Sequence, residues 1–250
     1  MMLRALVWAF CLPMLPVCWL QGLYLRRRQV MMSSPTLPSD WTRIEGSEPK
    51  VVRVLGLGDS VMAGYGLNAI DLGCLLQALS EIQKTKPVPI AWRVVAEKGA
   101  KARALVHQFE HAKMAAVDIV VVSVGVNDVS SLTSLLKWQR AIFDFVMTVR
   151  QHTQAHIVFI GLPPMAQFEQ LPQPLRGVLG VRARLLDEVL KRSVEGLLFA
   201  DHLSLSVSTI GPLMAADGYH PSEVGHHLIG AQLAQVCLTA LAKRGEAKSV

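Results

Sequence analysis

The sequence predicts an α/β domain built on a parallel sheet with helices on both faces, and three observations predict it. From residue 51 onward, short apolar runs alternate with longer segments of helical periodicity. The run at 117–124 is almost continuous valine and isoleucine, the pattern of a central strand buried on both faces. The first run, 51–57, breaks into glycine at Gly56 and Gly58, so the chain can turn sharply where that strand ends. Such strands and helices join through right-handed crossovers.

Taken in order, five strands are expected, at 51–57, 90–96, 117–124, 157–161 and 197–200. Helices are expected at 71–83, where Leu72, Leu75, Leu76 and Leu79 recur at helical spacing, and at 100–115. A long amphipathic helix follows at 132–152, with Leu135, Leu136, Ile142, Phe143, Val146 and Val149 available for its apolar side. Two more are expected at 178–194 and 222–243, leaving 244–250 as a basic tail. No internal repeat occurs.

The amino-terminal segment has a different character. Residues 5–25 contain no charge and are long enough to cross a bilayer as a helix, despite Pro13 and Pro16. A cleavable signal peptide is the rival reading, but the run is long for one and no Ala-x-Ala-like site follows. Residues 1–28 are therefore expected to be a membrane anchor. Arg26, Arg27 and Arg28 outnumber the basic groups before the span, which favours a cytoplasmic domain, with an extracytoplasmic one as the alternative. Residues 29–50, rich in proline and serine, read as a linker without fixed secondary structure.

Composition narrows the function classes. The formal net charge of the 250 residues is +6, yet three of the arginines adjoin the apolar segment, and no basic surface interleaved with aromatics suggests nucleic acid. Cys11, Cys18, Cys74 and Cys237 show no Cys-x-x-Cys spacing, so buried free thiols are expected. His107 and His111 have metal-ligand spacing without an evident third ligand, and an exposed polar face is the better reading.

Chemistry concentrates at the strand ends. Gly58-Asp59-Ser60 places a serine at the carboxyl end of a strand, where open α/β sheets keep their sites. A serine hydroxyl needs a base, and the base needs an acid to orient it. Asp217-Gly218-Tyr219-His220-Pro221 offers both: Gly218 permits a turn that brings the Asp217 carboxylate to one ring nitrogen of His220, with Pro221 as a possible first helical residue. Donors for an oxyanion are available from the Ser60 backbone, from Gly99 after the second strand, and from the Asn127 amide after the third. Asp59 and Asp128 are expected to hold loops.

These blocks, Gly58-Asp59-Ser60, Gly99, Gly125-Val126-Asn127-Asp128 and Asp217-Gly218-Tyr219-His220-Pro221, resemble in order the four sequence blocks of the SGNH (GDSL) hydrolases. The resemblance covers residues 51–243 and not the amino-terminal segment. It implies a flavodoxin-like three-layer α/β/α fold, without metal or organic cofactor, and esterase, lipase, thioesterase or carbohydrate deacetylase activity. It also implies Ser60 as nucleophile, His220 as general base, Asp217 as orienting acid, and Ser60, Gly99 and Asn127 as the oxyanion hole. Glu97 and Lys98 before Gly99 depart from the small or amide residue common there, which leaves the register of that loop open. The expectation is a membrane-anchored serine ester hydrolase acting on small-molecule or lipid esters. A deacetylase of envelope carbohydrate and a silent tethered binding module are the alternatives. Met165 and Phe168 are assigned either to an acyl-binding wall or to packing, Arg182 and Arg184 to a solvated helix face, and His226 and His227 to surface or packing.

Overall fold

The computed structural model describes residues 7–8, 10–28, 32–112, 116–205 and 211–246. Six strands form one sheet: β1 (Thr42–Ile44), β2 (Val52–Gly58), β3 (Ile90–Ala96), β4 (Ile119–Ser123), β5 (His156–Ile160) and β6 (Ala200–Leu203), in the order β1-β3-β2-β4-β5-β6. All neighbours are parallel except β1, which runs antiparallel to β3 with Arg43 opposite Ala91. Among the described residues the bounded α-helices are α1 (Leu15–Arg28), α2 (Cys74–Thr85), α3 (Leu105–His111), α4 (Val126–Ser130), α5 (Leu135–His152), α6 (Leu175–Val194) and α7 (Glu223–Glu246).

Strand alternation sorts the core into two layers. Val54, Val94, Val121 and Val158 pack with Leu75, Leu79 and Ile82 of α2 and with Leu233 and Cys237 of α7. Their neighbours Leu55, Leu57, Val120, Val122 and Phe159 face the other way, toward Phe109 of α3, Trp138 and Phe145 of α5, and Leu186 and Leu190 of α6. The Trp138 indole N–H donates to the Leu186 carbonyl at 3.0 Å, so the largest buried side chain of α5 is also satisfied as a donor. The chain leaves β2 first for β3 on one side and later for β4 on the other. The switch point between β2 and β4 is where such sheets open a crevice at their carboxyl edge.

The expected three layers and parallel sheet are present, with corrections. The sheet has six strands rather than five, because Thr42–Ile44, expected as linker, pairs along β3. The last strand lies at Ala200–Leu203, just after the expected 197–200. The expected helix at 100–115 is a 3₁₀ turn, Ala102–Ala104, followed by α3, and positions 113–115 lie outside the described residues. Helix α7 begins at Glu223 rather than Pro221 and runs into the expected tail, of which 247–250 lie outside the described residues.

The membrane-spanning helix is the main correction. No described helix is long and apolar enough to cross a membrane. Positions 1–6 and 9 lie outside the described residues; within the rest, a 3₁₀ turn at Leu12–Met14 precedes α1, which has 14 residues and ends in three arginines. At 1.5 Å per residue such a helix covers about 21 Å, short of the ~30 Å hydrocarbon core. The apolar character of the amino-terminal segment has another use, since Trp8 and Cys11 before α1 and Leu15, Cys18 and Leu25 within it, spaced three, four or seven apart, lie against the core beside α6. Gln21 fixes the position: its amide donates to the Gln173 carbonyl at 2.7 Å and accepts from the Leu175 N–H at 3.1 Å, at the start of α6. The sidedness inferred from the arginines presupposed a span and falls with it.

Candidate active site

The carboxyl end of β2 is shaped by Gly58. Its φ is +149°, and a Cβ there would stand 2.0 Å from the Ser123 carbonyl oxygen of β4. The close approach lets the Asp59 N–H donate to Ser123 O at 3.0 Å, which continues the sheet by one bond. The chain then turns, with Ala63 N–H to Asp59 O at 3.0 Å and Tyr65 N–H to Ser60 O at 2.9 Å, and Ser60 stands at the head of that turn. The Gln108 side chain supports it from α3, donating to the Gly58 carbonyl at 2.8 Å.

Residues 160 positions apart meet here. Ser60 Oγ lies 2.9 Å from His220 Nε2, and His220 Nδ1 lies 2.6 Å from Asp217 Oδ2. The other Asp217 oxygen accepts the Tyr219 and His220 backbone N–H groups, both at 3.0 Å, so one carboxylate builds the turn and orients the ring. Burial pushes the Asp217 carboxyl up, but the ring and the two backbone donors together outweigh it and hold it below its ordinary value. The His220 ring is held between Tyr65, with centroids 4.8 Å apart, and Tyr219, at 5.5 Å. Ser60 and His220 are both buried.

The other predicted residues line the same cavity as Ser60. Gly99 follows β3 with φ +84°, and a Cβ there would meet nothing within 4 Å, so this backbone faces open space. Asn127 sits in α4 directly after β4; its amide donates to Ala100 O at 3.1 Å and makes a long contact of 3.5 Å with Asp59 Oδ2. Asp128 accepts the Ala102 N–H at 3.0 Å, the loop-holding part expected of it. A cavity of about 980 Å³ opens over Ser60, Gly99, Asn127, Asp217 and His220.

Asp59 also holds its loop, accepting the Val61 N–H at 3.1 Å. Burial, with a smaller push from Asp128, raises its carboxyl to about 7. Relative to the unfolded value of 3.8, a raised acid binds its proton more tightly when folded. That stabilisation is complete below pH 3.8 and is lost as pH rises through 7. Asp59→Asn, which cannot ionise, is expected to gain on the wild-type protein between pH 4 and 8, by an amount on the order of 4 kcal/mol. Urea unfolding of both proteins at the two pH values measures it, and a difference independent of pH would refute the shift.

Several residues escaped the sequence. Tyr65, Lys98 and Gln108 support the site, and Lys98 Nζ lies 2.7 Å from the Tyr65 hydroxyl and 3.9 Å from its ring centroid. His226 is fully buried and accepts the Cys74 N–H at 3.1 Å, which caps α2, while burial lowers its imidazole to about 4. Arg182 is buried rather than solvated; it donates to the Thr133 carbonyl and stacks on Trp8 at 4.7 Å, whereas Arg184 is exposed. Its position was legible: Val178, Arg182 and Leu186 share one helix face. Phe168 is buried in the cavity wall, and Met165 is buried in the core beneath. His107 and His111 stack at 6.3 Å on the exposed side of α3.

Comparisons with known proteins agree with this architecture. The sequence model of the GDSL-like lipase/acylhydrolase family matches residues 57–228. A comparison with curated proteins returns no match. Among solved structures, the chain is similar to a lipolytic protein of the G-D-S-L family from Veillonella parvula, at 16% identity over 74% of this chain and 97% of that one, with a TM-score of 0.58. It is likewise similar to the psychrotrophic esterase EstA from a Pseudoalteromonas species, at 17% identity over 76% and 98%, with a TM-score of 0.57. A lipase/acylhydrolase from Enterococcus faecalis follows at 20% identity over 74% and 94%, with a TM-score of 0.55. At these identities the structural matches establish the fold.

Proposed function

The chain belongs to the GDSL-like lipase/acylhydrolase family and is a hydrolase of ester bonds, and from that premise we propose that it works by covalent catalysis through Ser60. The observation that carries this reading is the unbroken chain from Ser60 Oγ through the His220 ring to Asp217, at 2.9 and 2.6 Å. Asp217 accepts the Nδ1 proton, which leaves His220 Nε2 as a lone pair aimed at the serine. As Ser60 Oγ bonds to the ester carbon, its proton passes to Nε2 and then to the departing alcohol oxygen. Water enters by the same route in reverse and releases the acid.

The negative charge on the tetrahedral intermediate goes to the Ser60 and Gly99 backbone N–H groups and the Asn127 amide. Asn127 keeps its bond to Ala100 and turns the N–H of its long Asp59 contact toward the oxyanion. Each such donor contributes about two to three powers of ten in turnover. Tyr65 and Tyr219 keep bulk water from the ring and limit its rotation.

Mass-spectrometric mapping after treatment with a fluorophosphonate tests the assignment, because that reagent needs an activated hydroxyl. The esterase EstA is described as inhibited by monoethylphosphonate, a related chemistry. The expected adduct lies on Ser60 and is absent in His220→Ala. Label on another residue, or none on folded protein, would overturn the proposal.

A further inference from the structure

Lys98 precedes Gly99 in place of the expected small or amide residue, and the structure gives it a definite partner. Two backbone bonds close the loop that carries it: Glu97 N–H to Gly58 O at 3.1 Å and Ala100 N–H to Glu97 O at 3.0 Å. From that loop the Lys98 side chain reaches across to the turn that carries Ser60. Its Nζ donates to the Tyr65 hydroxyl at 2.7 Å and lies 3.9 Å from the ring centroid.

Tyr65 is a junction. Its oxygen also accepts the Met32 N–H at 3.2 Å, so both lone pairs of the phenol are engaged. Its ring packs on His220 with centroids 4.8 Å apart and planes inclined by 56°. Its own N–H donates to Ser60 O at 2.9 Å. One buried residue therefore touches the base, the turn of the serine and, through Lys98, the loop of Gly99. A phenol held by two donors is not free to swing, and the imidazole against it keeps its own orientation.

We infer that Lys98 is a positioning residue, which acts through the Tyr65 hydroxyl to hold the Gly99 loop and the His220 ring in fixed relation to each other. This rests on the Ser60 reading above and adds a coupling between two of its parts. In that reading the proton leaves Ser60 for His220 while charge arrives on the ester oxygen facing Gly99, in one transition state. A relative displacement of about 1 Å between such groups can cost roughly 100-fold. Lys98 is exposed, so water competes for its ammonium, and the expected effect is that of a weak charge-assisted hydrogen bond, about tenfold.

Lys98→Met keeps the length of the side chain and removes the donor. For 4-nitrophenyl acetate its kcat is expected to fall about tenfold, with KM within about twofold of the wild-type value. Lys98→Arg, which can still donate to the phenol, should recover most of the loss. Tyr65→Phe should lose at least as much as Lys98→Met, and combining the two should cost less than about a further twofold, because the acceptor is already gone. Lys101→Met, which removes another cation from the same cavity, should stay within about twofold of wild type and so separates the brace from the cavity's charge. A second readout needs no substrate. The Lys98 hydrogen bond, with that of Met32, holds the Tyr65 hydroxyl below the ordinary tyrosine range. The phenolate absorbance that Tyr65→Phe removes should therefore appear at higher pH when Lys98 is methionine.

A kcat in Lys98→Met within twofold of wild type, a loss borne by KM, no recovery in Lys98→Arg, an equal loss in Lys101→Met, multiplicative losses in the double variant, or an unmoved Tyr65 titration would each overturn the inference. Any of these alongside a fluorophosphonate adduct on Ser60 leaves the Ser60 reading standing. Absence of that adduct on folded protein removes the reading and the inference together.

Discussion

Ser60→Ala is expected to lower kcat for a short-chain ester by about 10⁴- to 10⁶-fold, because the covalent step disappears while the oxyanion donors stay in place. The substitution removes one hydroxyl and its 2.9 Å contact with His220 and leaves the backbone turn intact. On the proposed reading the backbone N–H of residue 60 remains an oxyanion donor, so some acceleration over water should remain. Turnover of 4-nitrophenyl acetate, alongside thermal unfolding to verify the fold, gives the answer. A kcat within tenfold of the wild-type value would eliminate Ser60 as nucleophile.

Asp217→Asn is the subtler substitution, with an expected loss of about 10⁴-fold in kcat. The asparagine oxygen can go on accepting the Tyr219 and His220 N–H groups, so the turn survives. Its NH₂ group, however, would face His220 Nδ1 as a donor and force the proton onto Nε2. The ring would then donate toward Ser60 instead of accepting from it. In the proposed mechanism Asp217 acts through the ring, so KM should change far less than kcat. A loss below about tenfold, or one borne mainly by KM, would show that Asp217 only shapes the turn.

The sheet was legible where burial dictates composition. The Val/Ile run that became β4 is buried on both faces and has no other use. β1 was not legible, since Thr42-Arg43-Ile44 becomes a strand only through its partner Ala91, almost fifty residues away. The residues that the structure gathers at the candidate site were legible as blocks at strand ends, but not the contacts that support them. Tyr65 and Gln108 act through tertiary contacts, although Gln108 did betray itself as a polar residue on the apolar face that also carries Leu105 and Phe109. The amino-terminal helix misled because hydropathy does not distinguish lipid from protein as the apolar partner. Gln21, a polar residue late in the run, was the available sign.

The short antiparallel strand β1 has a consequence for that helix. The segment between α1 and β1 is also pinned soon after α1, where Met32 N–H donates to the Tyr65 hydroxyl at 3.2 Å and Gly66 N–H to Ser33 O at 2.8 Å. With both attachments made, α1 behaves as an intramolecular ligand on a short leash, and its effective concentration at the cavity is on the order of millimolar. The two attachments make a covalently attached segment into a standing wall of the cavity.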